Sequence, residues 1–193
     1  MRRLHLIAAA GIALPLLTAA AVHTTDPAAP PLDDPTIVAI FDAANTADIE
    51  TGTLAADRGA SQEVRQFGAM LARDHKQVRQ QGRDLAAKLH VTPTPPADDQ
   101  SAKAHAETMA KLRSLKGAEF DRAFLEHEYT FHRDVIDAIQ KTLLPAIQNP
   151  ELKALVVKVA PAFQAHMQMA QQLEKQLAEK GSDAPATNAG YSH

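Results

Sequence analysis

The sequence predicts an all-α fold, an up-down-up-down four-helix bundle with one additional short helix in the connection between its second and third long helices. Three observations predict it. Four long segments carry apolar residues at spacings of three and four, the helical period. Each segment is bounded by proline, glycine or a side chain able to cap a helix. No stretch alternates apolar and polar residues as a half-buried strand would.

Helix A is expected to open at Asp34-Pro35, a capping residue followed by proline in the first turn, and to stop near Gly59. Its inward stripe is Ile37, Phe41, Ala44, Asp48, Thr51 and Ala55. Helix B opens at Ser61 and runs to about His90, with Val64, Phe67, Leu71, His75, Val78, Leu85 and Leu89 inward. The segment VTPTPP (Val91 to Pro96) breaks it. A shorter helix covers about Asp98 to Leu115 and ends at Lys116-Gly117. Helix C spans about Ala118 to Leu144 and turns Leu125, Glu128, His132, Val135 and Ile139 inward. Pro145 and Pro150 bracket the next turn. Helix D runs from Glu151 to Lys180, closed by Gly181, with Val156, Val159, Phe163, His166, Ala170, Leu173 and Leu177 on its stripe. Pro161 inside it leaves the Val157 carbonyl without a helical donor and predicts curvature.

The bundle domain is therefore expected over residues 35–180. Ahead of it, Arg2 and Arg3, the apolar run Leu4 to Leu17 and the small residues Ala19 to Ala21 form a secretory signal peptide over residues 1–21. The run is shorter than the roughly 20 apolar residues of a spanning helix, and no later segment can span. A Pro-, Thr- and Asp-rich leader follows over 22–34, and residues 181–193 read as a disordered tail. The expected location is the periplasm, with association to the outer membrane left open. Cleavage removes two arginines and no acid, taking the formal net charge from −3 to −5. An acidic chain is a poor partner for nucleic acid or anionic lipid. A protein partner or a homo-oligomer stays open. Without cysteine there are no disulfides and no thiolate metal ligands, so the core alone holds the exported chain together.

Each stripe is interrupted by a titratable residue: Asp48, His75, Glu128 with His132, and His166. Folding A and B back at residue 60 sets Asp48 level with His75. Folding C and D back near residue 148 sets His132 level with His166. In an up-down-up-down bundle both turns lie at one end, and these residues fall 12 to 17 positions from it, roughly 18–25 Å along the axes. Buried neutral imidazole must account for both ring nitrogens, so the layer is either a metal or cofactor site or a private polar network that titrates near neutral pH. The candidate metal ligands are His75, His132, His166, Asp48 and Glu128. Three imidazoles with a carboxylate suit Zn²⁺, Cu²⁺ or Fe²⁺. Methionines near His166 (Met167 and Met169) hint at copper, although methionine in a helix is usually core. No motif specifies a reaction, and no catalytic residue is singled out. His127 is expected to point sideways, and His5, His23, His90, His105 and His193 to lie exposed or on flexible segments.

The segments ADIETGTLA (47–55), ARDHKQV (72–78), EFDRAFLE (119–126), FHRDVI (131–136) and AFQAHMQMA (162–170) resemble an exported bacterial family of unknown function, domain-of-unknown-function family 4142, whose members are labelled predicted outer membrane proteins. The resemblance covers about Pro35 to Lys180. It implies a ferritin-like periplasmic bundle, and it matches His75, His132 and His166 to the family's histidines. Asp48 stands where the family usually has Glu, a shorter reach for the same carboxylate. No activity comes with the resemblance. Di-iron ferritin-like enzymes use Glu-x-x-His pairs, and none occurs here, since Glu128 precedes His132 by four residues. Three functions stay open: a non-catalytic, stress-related protein binding metal or a small ligand, a structural or interaction module whose histidines specify packing, and a metalloenzyme with an open site.

Overall fold

The computed structural model describes residues 32–182, and every regular element among them is helical. The signal peptide expected over 1–21, the leader up to residue 31 and the tail from residue 183 lie outside the described residues. Helix α1 (Asp34–Arg58) starts where the Asp33 carboxylate accepts a hydrogen bond from Thr36 N at 2.9 Å, with Pro35 in the first turn. Helix α2 (Gln62–Lys88) is capped by Ser61, whose hydroxyl accepts from Val64 N at 3.3 Å. Helix α3 (Ser101–Ser114) is the short one, and α4 (Gly117–Ala138) is the third long one. It continues into a π-helical turn, Ile139–Leu143, and a single turn, α5 (Leu144–Ala146). Pro145 has no N–H to offer the Lys141 carbonyl, so the regular ladder cannot run through this point. Helix α6 (Pro150–Ser182) opens at Asn149, whose side chain accepts from Glu151 N and Leu152 N at 2.8 and 3.2 Å. It extends two residues past the expected stop at Lys180. Pro161 sits on its exposed side.

The chain directions correct the expected up-down-up-down order. Helices α1 and α2 do fold back on one another, with Phe41 against Gly82 and Gly52 against Gly68. Helix α4, however, begins beside the α1–α2 turn, where the buried Asp121 carboxylate accepts from Ala60 N and Ser61 N, both at 2.8 Å. The turn before α6 lies at the other end, where Asp34 accepts from Gln148 N and Asn149 N at 2.9 and 2.8 Å. Ion pairs close the two ends, Lys88 with Glu151 at one and Lys180 with Glu63 at the other. Helix α3 carries the chain back along the bundle, and the Arg58 guanidinium receives it by donating to the carbonyls of Arg113 and Leu115. The order is therefore up, down, down, up, with α2 and α4 parallel.

Two apolar clusters fill the bundle. One gathers the start of α1, the ends of α2 and α4 and the start of α6, around Ile37, Phe41, Leu143, Val156 and Phe163. The other gathers the opposite ends, around Ala55, Leu71, Phe120, Phe124 and Ala170. Between them lies a layer of buried polar side chains. The α1–α2 approach is close enough that a Cβ on Gly68 would stand 2.6 Å from the Gly52 carbonyl oxygen and 2.7 Å from Ala56 N. Glycine at this crossing lets the backbones meet and holds Asp48 and His75 at one depth.

Candidate metal centre

All five residues expected to interrupt the stripes meet in the polar layer. Asp48, His75, Glu128 and His132 are at most 1 % exposed, and His166 is 5 % exposed. The ring centroids of His75, His132 and His166 are 5.2–5.5 Å apart, on three different helices. Phe163 packs its ring edge against His75 at 5.2 Å and closes one side.

Each imidazole is committed on one nitrogen. Asn45 Nδ2 donates to the Phe41 carbonyl at 2.7 Å, which turns its Oδ1 toward the layer. His75 Nδ1 donates to that oxygen at 3.0 Å, leaving Nε2 as a lone pair. His132 Nδ1 donates to the Glu128 carbonyl one turn back at 2.9 Å, and its Nε2 has no partner. His166 Nε2 faces the Asp74 carboxylate at 3.3 Å, the partner of an N–H, which leaves Nδ1 bare. The three inner nitrogens therefore converge as lone pairs, with ligand atoms within 4.8 Å of one another. His75 Nε2 and His166 Nδ1 stand 3.3 Å apart. Two lone pairs at that distance repel unless a proton or a cation lies between them. An ion with bonds of about 2.0–2.1 Å to tetrahedral imidazole ligands sets nitrogen pairs about 3.3 Å apart.

The carboxylates form a second face of the same cluster. Asp48, Glu128 and His132 also bring one ligand atom each within 4.8 Å. Asp48 Oδ2 lies 3.4 Å from His75 Nδ1 and Glu128 Oε2 lies 3.5 Å from His132 Nδ1, but both N–H groups are already used, which leaves the two acids with only each other and Thr51 close by. Burial, with the neighbouring Glu128 charge, raises Asp48 well above the usual carboxylate range. Burial pushes Glu128 up to about 7 against the pull of Thr51 and Asp48. The histidines move the other way. Burial, with His132 and His166 nearby, lowers His75 to about 2, and burial with His166 lowers His132 to about 3. His166 is also lowered by burial, opposed by Asp74. The layer is thus neutral on its imidazoles and short of strong donors on its acids. Each buried unsatisfied group costs about 1–3 kcal/mol, and a divalent cation would relieve both faces at once.

The sequence reading did not single out Asn45 and Asp74. Asn45 is one helical turn before Asp48 and fully buried, a spacing that could have found it. Asp74 is adjacent to His75 and reads as an exposed acid; only the packing of α6 on α2 brings His166 to it. His105 is a correction: its side chain is only 20 % exposed, and Nε2 pairs with Glu50 at 2.8 Å. His127 lies beside the layer rather than in it, as expected, with its ring 5.7 Å from that of Phe131. Burial, with His105 and Lys111 nearby, lowers it to about 4.

No curated protein and no solved structure matches the chain. One family model does, across residues 18–173, which takes in all four long helices up to Leu173 and every residue of the layer. The chain belongs to that family, described as a domain of unknown function (DUF4142).

Proposed function

We propose that the protein binds one divalent transition-metal ion, Zn²⁺, Cu²⁺ or Fe²⁺, at His75, His132 and His166, as an exported, non-catalytic binding protein of the periplasm. The observation that carries this reading is the set of outer hydrogen bonds. Asn45, the Glu128 carbonyl and Asp74 take the N–H of each ring, so the three remaining nitrogens face one another bare. An outer acceptor on each ligating imidazole is the usual support of a metal site. Asp48 and Glu128 supply the negative charge, and either can complete the coordination from the carboxylate face. The near-complete burial of His75 and His132 favours retention of the ion over turnover of a substrate. The single long crossover from α2 to α4 supports kinship with ferritin-like bundles, which carry one such connection. The lack of a Glu-x-x-His pair argues against di-iron oxidation. Export rests on the Arg2-Arg3 start, the Leu4 to Leu17 run and the alanines before Val22.

The test is elemental analysis of the tagless mature protein, purified without chelator, beside the variant His75→Ala/His132→Ala/His166→Ala. About one metal per chain in the wild type and none in the variant is the expected result. If neither protein holds metal after loading with Zn²⁺, Cu²⁺ or Fe²⁺, the reading fails. N-terminal sequencing of the mature chain is expected to begin at Val22, and an intact Met1 would remove the export clause.

A further inference from the structure

Helix α3 covers more of the bundle than it contacts. Of its residues only Met109 and Leu112 are buried, both in its C-terminal half. That half is anchored by Arg58, and the middle by the His105–Glu50 pair. The first turn, Ser101 to Ala104, is exposed. Beneath it, between α1, α3 and α4, lies a cavity of about 720 Å³. Its α1 wall is made of small side chains, Ala43, Ala44 and Ala47, and its α4 wall of Phe131 and Val135. His127 stands among these lining residues, its ring 5.7 Å from that of Phe131. An imidazole offers a donor and an acceptor. Thr46, Ser101 and Thr108 also reach the lining, but most of the lining surface is apolar. A half-open, mainly apolar cavity of this size with an imidazole in its wall fits a small-molecule site, which typically spans about 300–1,000 Å³. At the mouth, Asp98 and Asp99 present negative charge, which disfavours an anion.

The geometry points to a second binding site, separate from the metal centre, in which the cavity under α3 takes an uncharged, mainly apolar molecule with one hydrogen-bonding group directed at His127. The apolar body lies along the alanines of α1 and the Phe131 ring, and α3 closes over it as a flap hinged at its anchored half. The site borders the layer, with the Phe131 ring 6.0 Å from that of His132, but none of its lining residues is a candidate metal ligand, so it is expected to fill whether or not metal is present.

The probe is N-phenyl-1-naphthylamine, a neutral fluorophore with two aromatic groups and one N–H, titrated into the full-length product as purified. Saturable binding of one molecule per chain is expected. Ala44→Phe fills the cavity from its floor, and Ala102→Trp fills it from the exposed first turn of α3, where no buried packing is at risk. Each is expected to weaken binding at least tenfold with an unchanged far-UV circular dichroism spectrum. The anionic 8-anilinonaphthalene-1-sulfonate is expected to bind at least tenfold more weakly than the neutral probe. Non-saturable binding, or equal affinity in the wild type and the Ala102→Trp variant, would overturn the site, and preference for the anionic probe would overturn the ligand class.

Discussion

At the residue scale, the proposed metal site depends on side chains outside its candidate ligand set. A histidine ligand is useful only in the tautomer that leaves its inner nitrogen bare, and Asn45 and Asp74 impose that tautomer on His75 and His166. Asn45→Ala and Asp74→Ala are each expected to weaken Zn²⁺ affinity about 10–100-fold, measured by competition with a chromophoric chelator. A change under twofold in both would show that the tautomers are set by something else. Glu128 gives a separate test. Its pKa is raised from 4.5 to about 7 in the folded protein. A carboxyl with a raised folded pKa contributes stability below its unfolded value, and that stability is lost as pH rises through the folded one. Glu128→Gln is therefore expected to stabilise the metal-free protein at pH 8 and to change little at pH 4.5, in urea unfolding at both values. The candidate ligands were legible because each one breaks an apolar helical stripe. Of their partners, Asn45 was legible from its spacing to Phe41 and Asp48 but was overlooked because amide side chains do not titrate, while Asp74 depends on how α6 settles against α2.

At the element scale, the period gave the long helices and the punctuation gave their ends to within a few residues, but the direction of α4 was not legible from either. The sequence reading treated the α2–α4 connection as a reversal. Yet α3 has 14 residues, about 21 Å of helix at 1.5 Å per residue, enough to carry the chain back along the bundle. The polar layer survives the change of topology because it lies near mid-length in every helix, about equally far from either end. What fixes its depth on α1 and α2 is the glycine crossing. Gly68→Ala would drive a methyl group into the Gly52 carbonyl and Ala56 N, and backbone atoms cannot rotate away as side chains do. The expected cost is about 1–3 kcal/mol of stability. The same spread of α1 from α2 is expected to weaken metal binding, although Gly68 is no ligand. Chemical denaturation and metal titration of this one variant check both effects, and a stable variant with unchanged affinity would show that the crossing can relax.

At the scale of the whole molecule, the bundle is two apolar half-cores joined through a layer that is poorly satisfied without a cation. Helices α2, α4 and α6 each supply one imidazole, so a bound ion ties the two halves together. The pH dependence of the metal-free protein follows from the opposed shifts. His75 and His132, lowered to about 2 and 3, stay neutral in the fold while the unfolded chain takes up protons below about 6.5. Their contribution is intact above that value and is lost as pH falls below it. Asp48 and Glu128, both raised, hold protons in the fold that the unfolded chain has released, so theirs is lost as pH rises toward and past 7. The two slopes meet near pH 6, where the melting temperature of the metal-free protein is expected to peak, with the steeper fall on the acid side. Metal needs bare imidazoles and is best balanced by ionised carboxylates, so the loaded protein is expected to peak at higher pH. At a free-metal concentration one hundred times Kd, binding adds about 2.7 kcal/mol, roughly 5–10 °C in Tm for a domain of this size. Melting curves from pH 4 to 9, with and without Zn²⁺, read both effects together. A metal-induced rise at pH 8 that shrinks at pH 5 is the expected pattern. A rise of equal size at both would mean that Asp48 and Glu128 do not take part in holding the ion.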